Sequence, residues 1–183
     1  MSRYIAFLRA VNVGVHVVKM ERLRKLLESA GLSEVETFIA SGNAIFESPA
    51  RNPGVLETKI ETQLKKSLGY EVATFIRTPA ELCSIASSQP FKPSDVARPG
   101  TRTYVGFLKG SLDPKARRAV MSFKTEFDDF QVLESEIHWL CRIPSSESEF
   151  SLAKLEKATG MQATFRNSTT IRKMADRYGQ HDR

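Results

Sequence analysis

One order of elements is written twice along this chain, and that repetition constrains the fold more than any single motif. RYIAFLRA (residues 3–10) and TRTYVGFLKG (101–110) share a strand-like pattern, and each opens a half of about ninety residues. In the first half the helix KMERLRKLLESAG follows, with Met20, Leu23, Leu26, Leu27 and Ala30 as its apolar stripe and Gly31 as its stop. Two short apolar stretches come next, EVETFIASG and NAIFES. Leu56, Ile60, Leu64 and Leu68 recur every four residues as a second helix, ended by Gly69, and YEVATFIRT is a further strand. Thr78-Pro79 then opens the short helix PAELCSIASS. A proline-rich bridge, QPFKPSDVARPG, leads into the second half. There Asp113 and Pro114 start a helix as cap and first residue. FQVLES and EIHWLCRI are adjacent strands, SEFSLAKLEKATG is a helix ending in glycine, MQATFRN is the last strand and TTIRKMADRYG a terminal helix.

Strand, helix, strand, strand, helix, strand is the split βαβ order of a ferredoxin-like unit. The expected class is therefore α+β, with two tandem ferredoxin-like (βαββαβ) subdomains at 1–90 and 91–183 and a C-terminal helix. Each half is small for an independent core. YIAFL and YVGFLK are apolar on both faces, so the halves are expected to pack together.

Composition is that of an ordinary globular protein, with 41% hydrophobic and 26% charged residues. No apolar run reaches the length of a membrane span, and the N-terminus lacks the small-residue cleavage pattern of a signal peptide. The expected location is cytoplasmic, without membrane association. Cys83 and Cys141 are the only cysteines and form no close pair, so no metal site and no cofactor is expected. The formal charge is +6, with eleven basic against nine acidic residues in 1–90 and sixteen against twelve in 91–183. This mild excess is compatible with a phosphorylated small molecule or nucleic acid as partner, without requiring one. It says nothing about oligomeric state.

Three polar stretches are candidate ligand sites. The first is RAVNVGVHVVKM, where Arg9, Asn12, Gly14, His16 and Lys19 lie between strand and helix. Glycine permits close backbone approach, neighbouring amides can form an anion nest, and the basic groups add charge. The plainer reading is a connection in which Asn12 ties down the loop and valines 11, 13, 15, 17 and 18 fill its underside. One glycine makes no dinucleotide fingerprint, and without GKS or GKT there is no P-loop. The second is Ser41-Gly42-Asn43, a turn that would share a polar rim with the first if the two were adjacent. Ser41 lacks the setting of a nucleophile. The third is TFRNSTTIRK, with Arg166, Asn167 and Lys173. Asn167, Ser168 or Thr169 caps the helix, and Arg166 with the helix amides could hold phosphate or carboxylate. In EIHWLCRI, Trp139 reads as core and His138 points to the opposite face. NAIFES and EIHWLCRI lack the aromatic run of RNA-recognition modules.

FLRAVNVG with Lys19, Met20, Leu23 and Arg24, then FIASGNAIFES, QPF at 89–91, and KLEK, Gly160 and ATFRN followed by TTIRK together resemble the bacterial family called domain of unknown function 1697. The resemblance spans nearly the whole chain in order. It implies a compact α+β fold of two ferredoxin-like subdomains and brings no established activity. Family members tend to have LRGINVGG at the first motif, where this chain has Ala10 and Val15 in place of glycines. An RNWNT-like segment appears here as RNSTT, with Ser168 at the tryptophan position. The leading functional expectation is a non-enzymatic binder of an anionic ligand or nucleic acid. The alternatives are a small-molecule enzyme with its site between the subdomains, using Asn12, His16 and Ser41, and a protein-interaction module.

Overall fold

The computed structural model describes residues 1–179, which divide into two units, residues 1–83 with 174–179 and residues 84–173. The first holds β1 (Ser2–Leu8), α1 (Met20–Ser29), β2 (Ser33–Thr37), β3 (Asn43–Ser48), α2 (Pro53–Leu68) and β4 (Thr74–Arg77). Its antiparallel sheet has the order β2-β3-β1-β4, the arrangement of a ferredoxin-like unit. Helix α3 (Pro79–Ser87) and helix α4 (Pro93–Val96) follow. The second unit carries β5 (Arg102–Phe107), α5 (Pro114–Met121), β6 (Asp128–Leu133), β7 (Glu136–Cys141), α6 (Leu152–Thr159) and β8 (Thr164–Asn167), with sheet order β6-β7-β5-β8. The C-terminal helix α7 spans Ser168–Tyr178. The chain is thus α+β, with two antiparallel four-stranded sheets interleaved with helices in tandem ferredoxin-like order.

In the first unit, Tyr4, Ala6 and Leu8 of β1 pack with Ala44 and Phe46 of β3 under the helices. Leu23 and Leu27 of α1 and Leu56, Ile60 and Leu64 of α2 supply the helix side, as the spacing predicts. Burying each such leucine stabilises the fold by about 2 kcal/mol relative to leaving it exposed. Asn52 caps α2 by accepting from the Gly54 amide at 2.9 Å, and Gly69 ends it in the left-handed region at φ 83°. The segment EVETFIASG is a strand only as far as Thr37, because Ile39 and Gly42 take positive φ and turn the chain. At the other end of the chain Met174 and Tyr178 are buried, and the Tyr178 hydroxyl donates to Glu36 at 3.0 Å. Burial, reinforced by Glu36, pushes that hydroxyl up to about 12.

In the second unit the corresponding core is aromatic. Trp139 stacks on Tyr104 at 4.7 Å and lies 4.8 Å from Phe150, with Phe130 and Phe165 around it. Its indole N–H donates to Asp128 at 2.8 Å, and Ser148 donates to both oxygens of the same carboxylate. Asp113 caps α5 through the Ala116 amide at 2.7 Å. The bridge between the halves contains α4, a single turn started by Pro93 that periodicity alone does not reveal.

Both sheets are buried on both faces. Ile5, Phe7, Ile45 and Phe75 alternate with the first core yet are at most 2% exposed. Val105, Phe107 and Leu140 do the same in the second sheet, and His138 beside them is 4% exposed.

Candidate functional site

Two local arrangements collect the polar residues, one in each unit. In the first unit, the strand-to-helix connection and the Ser41-Gly42-Asn43 turn lie side by side. The Asn12 side-chain amide donates to the Ala40 carbonyl at 2.8 Å, and its carbonyl oxygen accepts from the Val18 amide at 2.7 Å. Leu8 donates its amide to the Gly42 carbonyl at 2.8 Å, and Arg9 donates its own to Ala73. Asn43 is fully buried and donates to the Phe38 carbonyl and to the Ser41 hydroxyl oxygen. Ala10, Asn12, Gly14 and Ile39 all take φ near +60°. Such a backbone persists only where surrounding bonds over-determine it.

Both ends of the Asn12 amide are therefore used to hold the two turns together. His16 stacks on Tyr70 with ring centroids 3.8 Å apart, and Gly14 and Lys19 are exposed. The underside expected of five valines holds for Val11 and Val18 only. Val13, Val15 and Val17 are exposed, and the tip is closed by a bridge from Val13 to His16.

In the second unit, Asn167 is the residue that caps α7, accepting from the Thr169 amide at 2.8 Å. Arg166 is buried, with its guanidinium donating to the Thr164 hydroxyl and the Phe165 carbonyl. Burial lowers its pKa to about 10, so it stays a cation at neutral pH. Lys173 is exposed on α7.

The same unit contains a cavity of about 300 Å³. Its floor is the β5–β7 pair, where Val105 lies opposite His138, and register places Arg166 in the same row on β8. One wall is the end of α3 with the bridge, through Ile85, Gln89, Pro90, Phe91 and Val96. The opposite wall is the first turn of α7, through Ser168, Ile171 and Arg172. His138 is 4% exposed, and its ring nitrogens meet no protein hydrogen-bond partner among the described residues. Burial alone lowers its pKa to about 4, so the imidazole is neutral at physiological pH.

Alternation along β7 puts His138 and Trp139 on opposite faces, as the sequence implies, but the cavity itself is a tertiary feature. The signal that could have located it is QPF at 89–91 read together with His138, a polar residue facing away from an aromatic core. Among the described residues, no group of three or more His, Cys, Asp or Glu could hold a metal ion, and no helix is long and apolar enough to cross a membrane.

The chain is similar in structure to the conserved bacterial protein SP0830 from Streptococcus pneumoniae. That likeness has a TM-score of 0.78 and 24% sequence identity, covering 98% of this chain and 99% of the other. It concerns the fold. No curated protein matches the chain. The sequence model of the family described as protein of unknown function (DUF1697) matches residues 1–138, from the first strand through His138 on the cavity floor. By that match over three quarters of its length, the chain belongs to this family.

Proposed function

We propose that this protein binds a small anionic molecule in the cavity of the second unit, without catalysing a reaction on it. The observation that carries this reading is His138, a polar side chain sunk to 4% exposure, facing a cavity whose other wall holds Arg172 and the first turn of α7. A buried polar group needs a hydrogen-bond partner, and a guest in the cavity is one that could supply it. The helix start and the guanidinium favour negative charge at the opposite wall.

Binding is favoured over catalysis by the chemistry of the imidazole. A ring with a pKa near 4 is a feeble base at neutral pH, far from the range that suits proton transfer. A small molecule is favoured over nucleic acid by the sheets. Base-stacking modules present aromatic side chains on an open sheet face, whereas Phe7, Phe75 and Phe107 here are fully buried.

Native mass spectrometry of gently purified protein tests the reading. The expected result is an added mass that proves to be a small acid and that falls when Arg172 is changed to Gln. Retention of nucleic acid in its place, lost with rising salt, would replace the reading.

A further inference from the structure

The cavity wall is chemically lopsided. Among the described residues no Asp, Glu or Lys lines it, and the one formal charge in the lining is the Arg172 guanidinium. Near that charge lies Ser168, the first residue of an eleven-residue helix whose preceding Asn167 already caps the Thr169 amide. Of the rest of the lining, Ile85, Phe91, Val96, Val105, Ile171 and two prolines are apolar, and Ser88, Gln89 and Thr103 add uncharged polar groups. At the floor, His138 can donate from one ring nitrogen or accept at the other while remaining uncharged.

We propose that the cavity takes a small organic monocarboxylate with an apolar body about the size of one ring, its carboxylate at Arg172 and the start of α7, its neutral end at His138. This rests on the anion-binding reading of the same cavity. A volume of about 300 Å³ stands at the low end of ligand pockets, which suits a single ring rather than a nucleotide. One planar guanidinium matches one planar carboxylate through two parallel hydrogen bonds. A phosphate dianion brings a second charge, and among the described residues no second cation lines the cavity to balance it, since Arg166 in the floor row turns its guanidinium to the Thr164 hydroxyl and the Phe165 carbonyl. A carbon body gains from the apolar walls what an inorganic anion cannot.

The test is titration calorimetry with nitrogen-15 spectra of the full chain, using benzoate, phenylacetate, benzyl alcohol, phenyl phosphate and inorganic phosphate as probes. Benzoate or phenylacetate is expected to bind and to shift the His138 ring together with the Val105 and Ser168 amides. Benzyl alcohol should bind about tenfold more weakly or worse, since it lacks the charge-assisted pair. Arg172→Gln should lower benzoate affinity about tenfold while leaving benzyl alcohol unchanged. Arg172 is exposed, so that variant is expected to fold. Ser168→Asp, which sets a carboxylate where the guest's would lie, is a second variant and should abolish benzoate binding. Tighter binding of phenyl phosphate or inorganic phosphate than of benzoate overturns the carboxylate assignment and leaves the anion reading standing. Equal binding of benzoate and benzyl alcohol overturns both. Failure of all five probes overturns the one-ring assignment alone, because the broader reading is judged by the mass retained on the purified protein.

Discussion

Asn12 and Ala40 are joined across two turns by a 2.8 Å hydrogen bond from a side-chain amide to a backbone carbonyl, 28 residues apart in sequence. The same amide group accepts from Val18, so one side chain fixes the entry to α1 and the approach to β3 together. Changing Asn12 to Ala removes both bonds and leaves the methyl side chain at φ 59°. The expected loss is about 2–3 kcal/mol of folding stability. Urea denaturation measures it. A change below about half a kcal/mol would mean that the two turns hold without this link.

Gly42 and Gly14 separate backbone strain from crowding. Both have positive φ, 76° and 60°. A Cβ at Gly42 would lie 3.1 Å from the Leu8 carbonyl oxygen and 3.1 Å from the Val11 Cβ, whereas at Gly14 nothing lies within 4 Å. Gly14→Ala should therefore cost about 1 kcal/mol for the left-handed backbone alone. Gly42→Ala adds displacement of packed neighbours and should cost about 2–3 kcal/mol. Equal thermal shifts in the two variants would contradict the close approach.

His138 makes stability depend on acid. Its folded pKa lies near 4, below the ordinary value of 6.5, so the unfolded chain binds the proton more readily. Stability is full above about pH 7 and falls as pH drops through 6.5 toward 4. Between pH 7 and 5 the loss from this group should be about 2 kcal/mol. Denaturant midpoints measured across that window for the native chain and for His138→Gln should diverge, with the variant flatter. Parallel curves would place the imidazole in water.

Val15 and Val18 differ by three positions and by opposite surroundings. Val15 is 92% exposed and Val18 is 3% exposed in the first core. Val15→Ser should change stability by less than about half a kcal/mol. Val18→Ser buries a hydroxyl among leucines and should cost about 2–3 kcal/mol. Thermal melts of the pair read the contrast directly.

The twofold order of elements was legible because it rests on local signals. Leu56, Ile60, Leu64 and Leu68, spaced by four, mark α2, Asp113 and Pro114 mark α5, and glycines close α2 and α6. The inner stripe of α7, Ile171, Met174 and Tyr178, is buried as its spacing implies. The alternation HW on β7 correctly separated a ring in the core from a ring facing away. What could not be read was which side of a loop faces water. Valines 13, 15 and 17 carry the same apolar label as valines 11 and 18, yet the first three are exposed and the other two buried. The cavity was hidden for a related reason. Its two walls, residues 85–97 and 168–172, are some eighty positions apart, and no periodicity connects them.

Asn167 is at once the last residue of β8 and the cap of α7, so strand and helix meet with no connecting loop. Slack is thereby absent on that side of the cavity: the first turn of α7 cannot swing without tugging the sheet to which Asn167 is laced opposite Tyr104. The facing jamb is the proline-punctuated stretch after α3, which belongs to no strand. The chamber is built like a door hung on one post, and the fixed post is the one that carries the arginine.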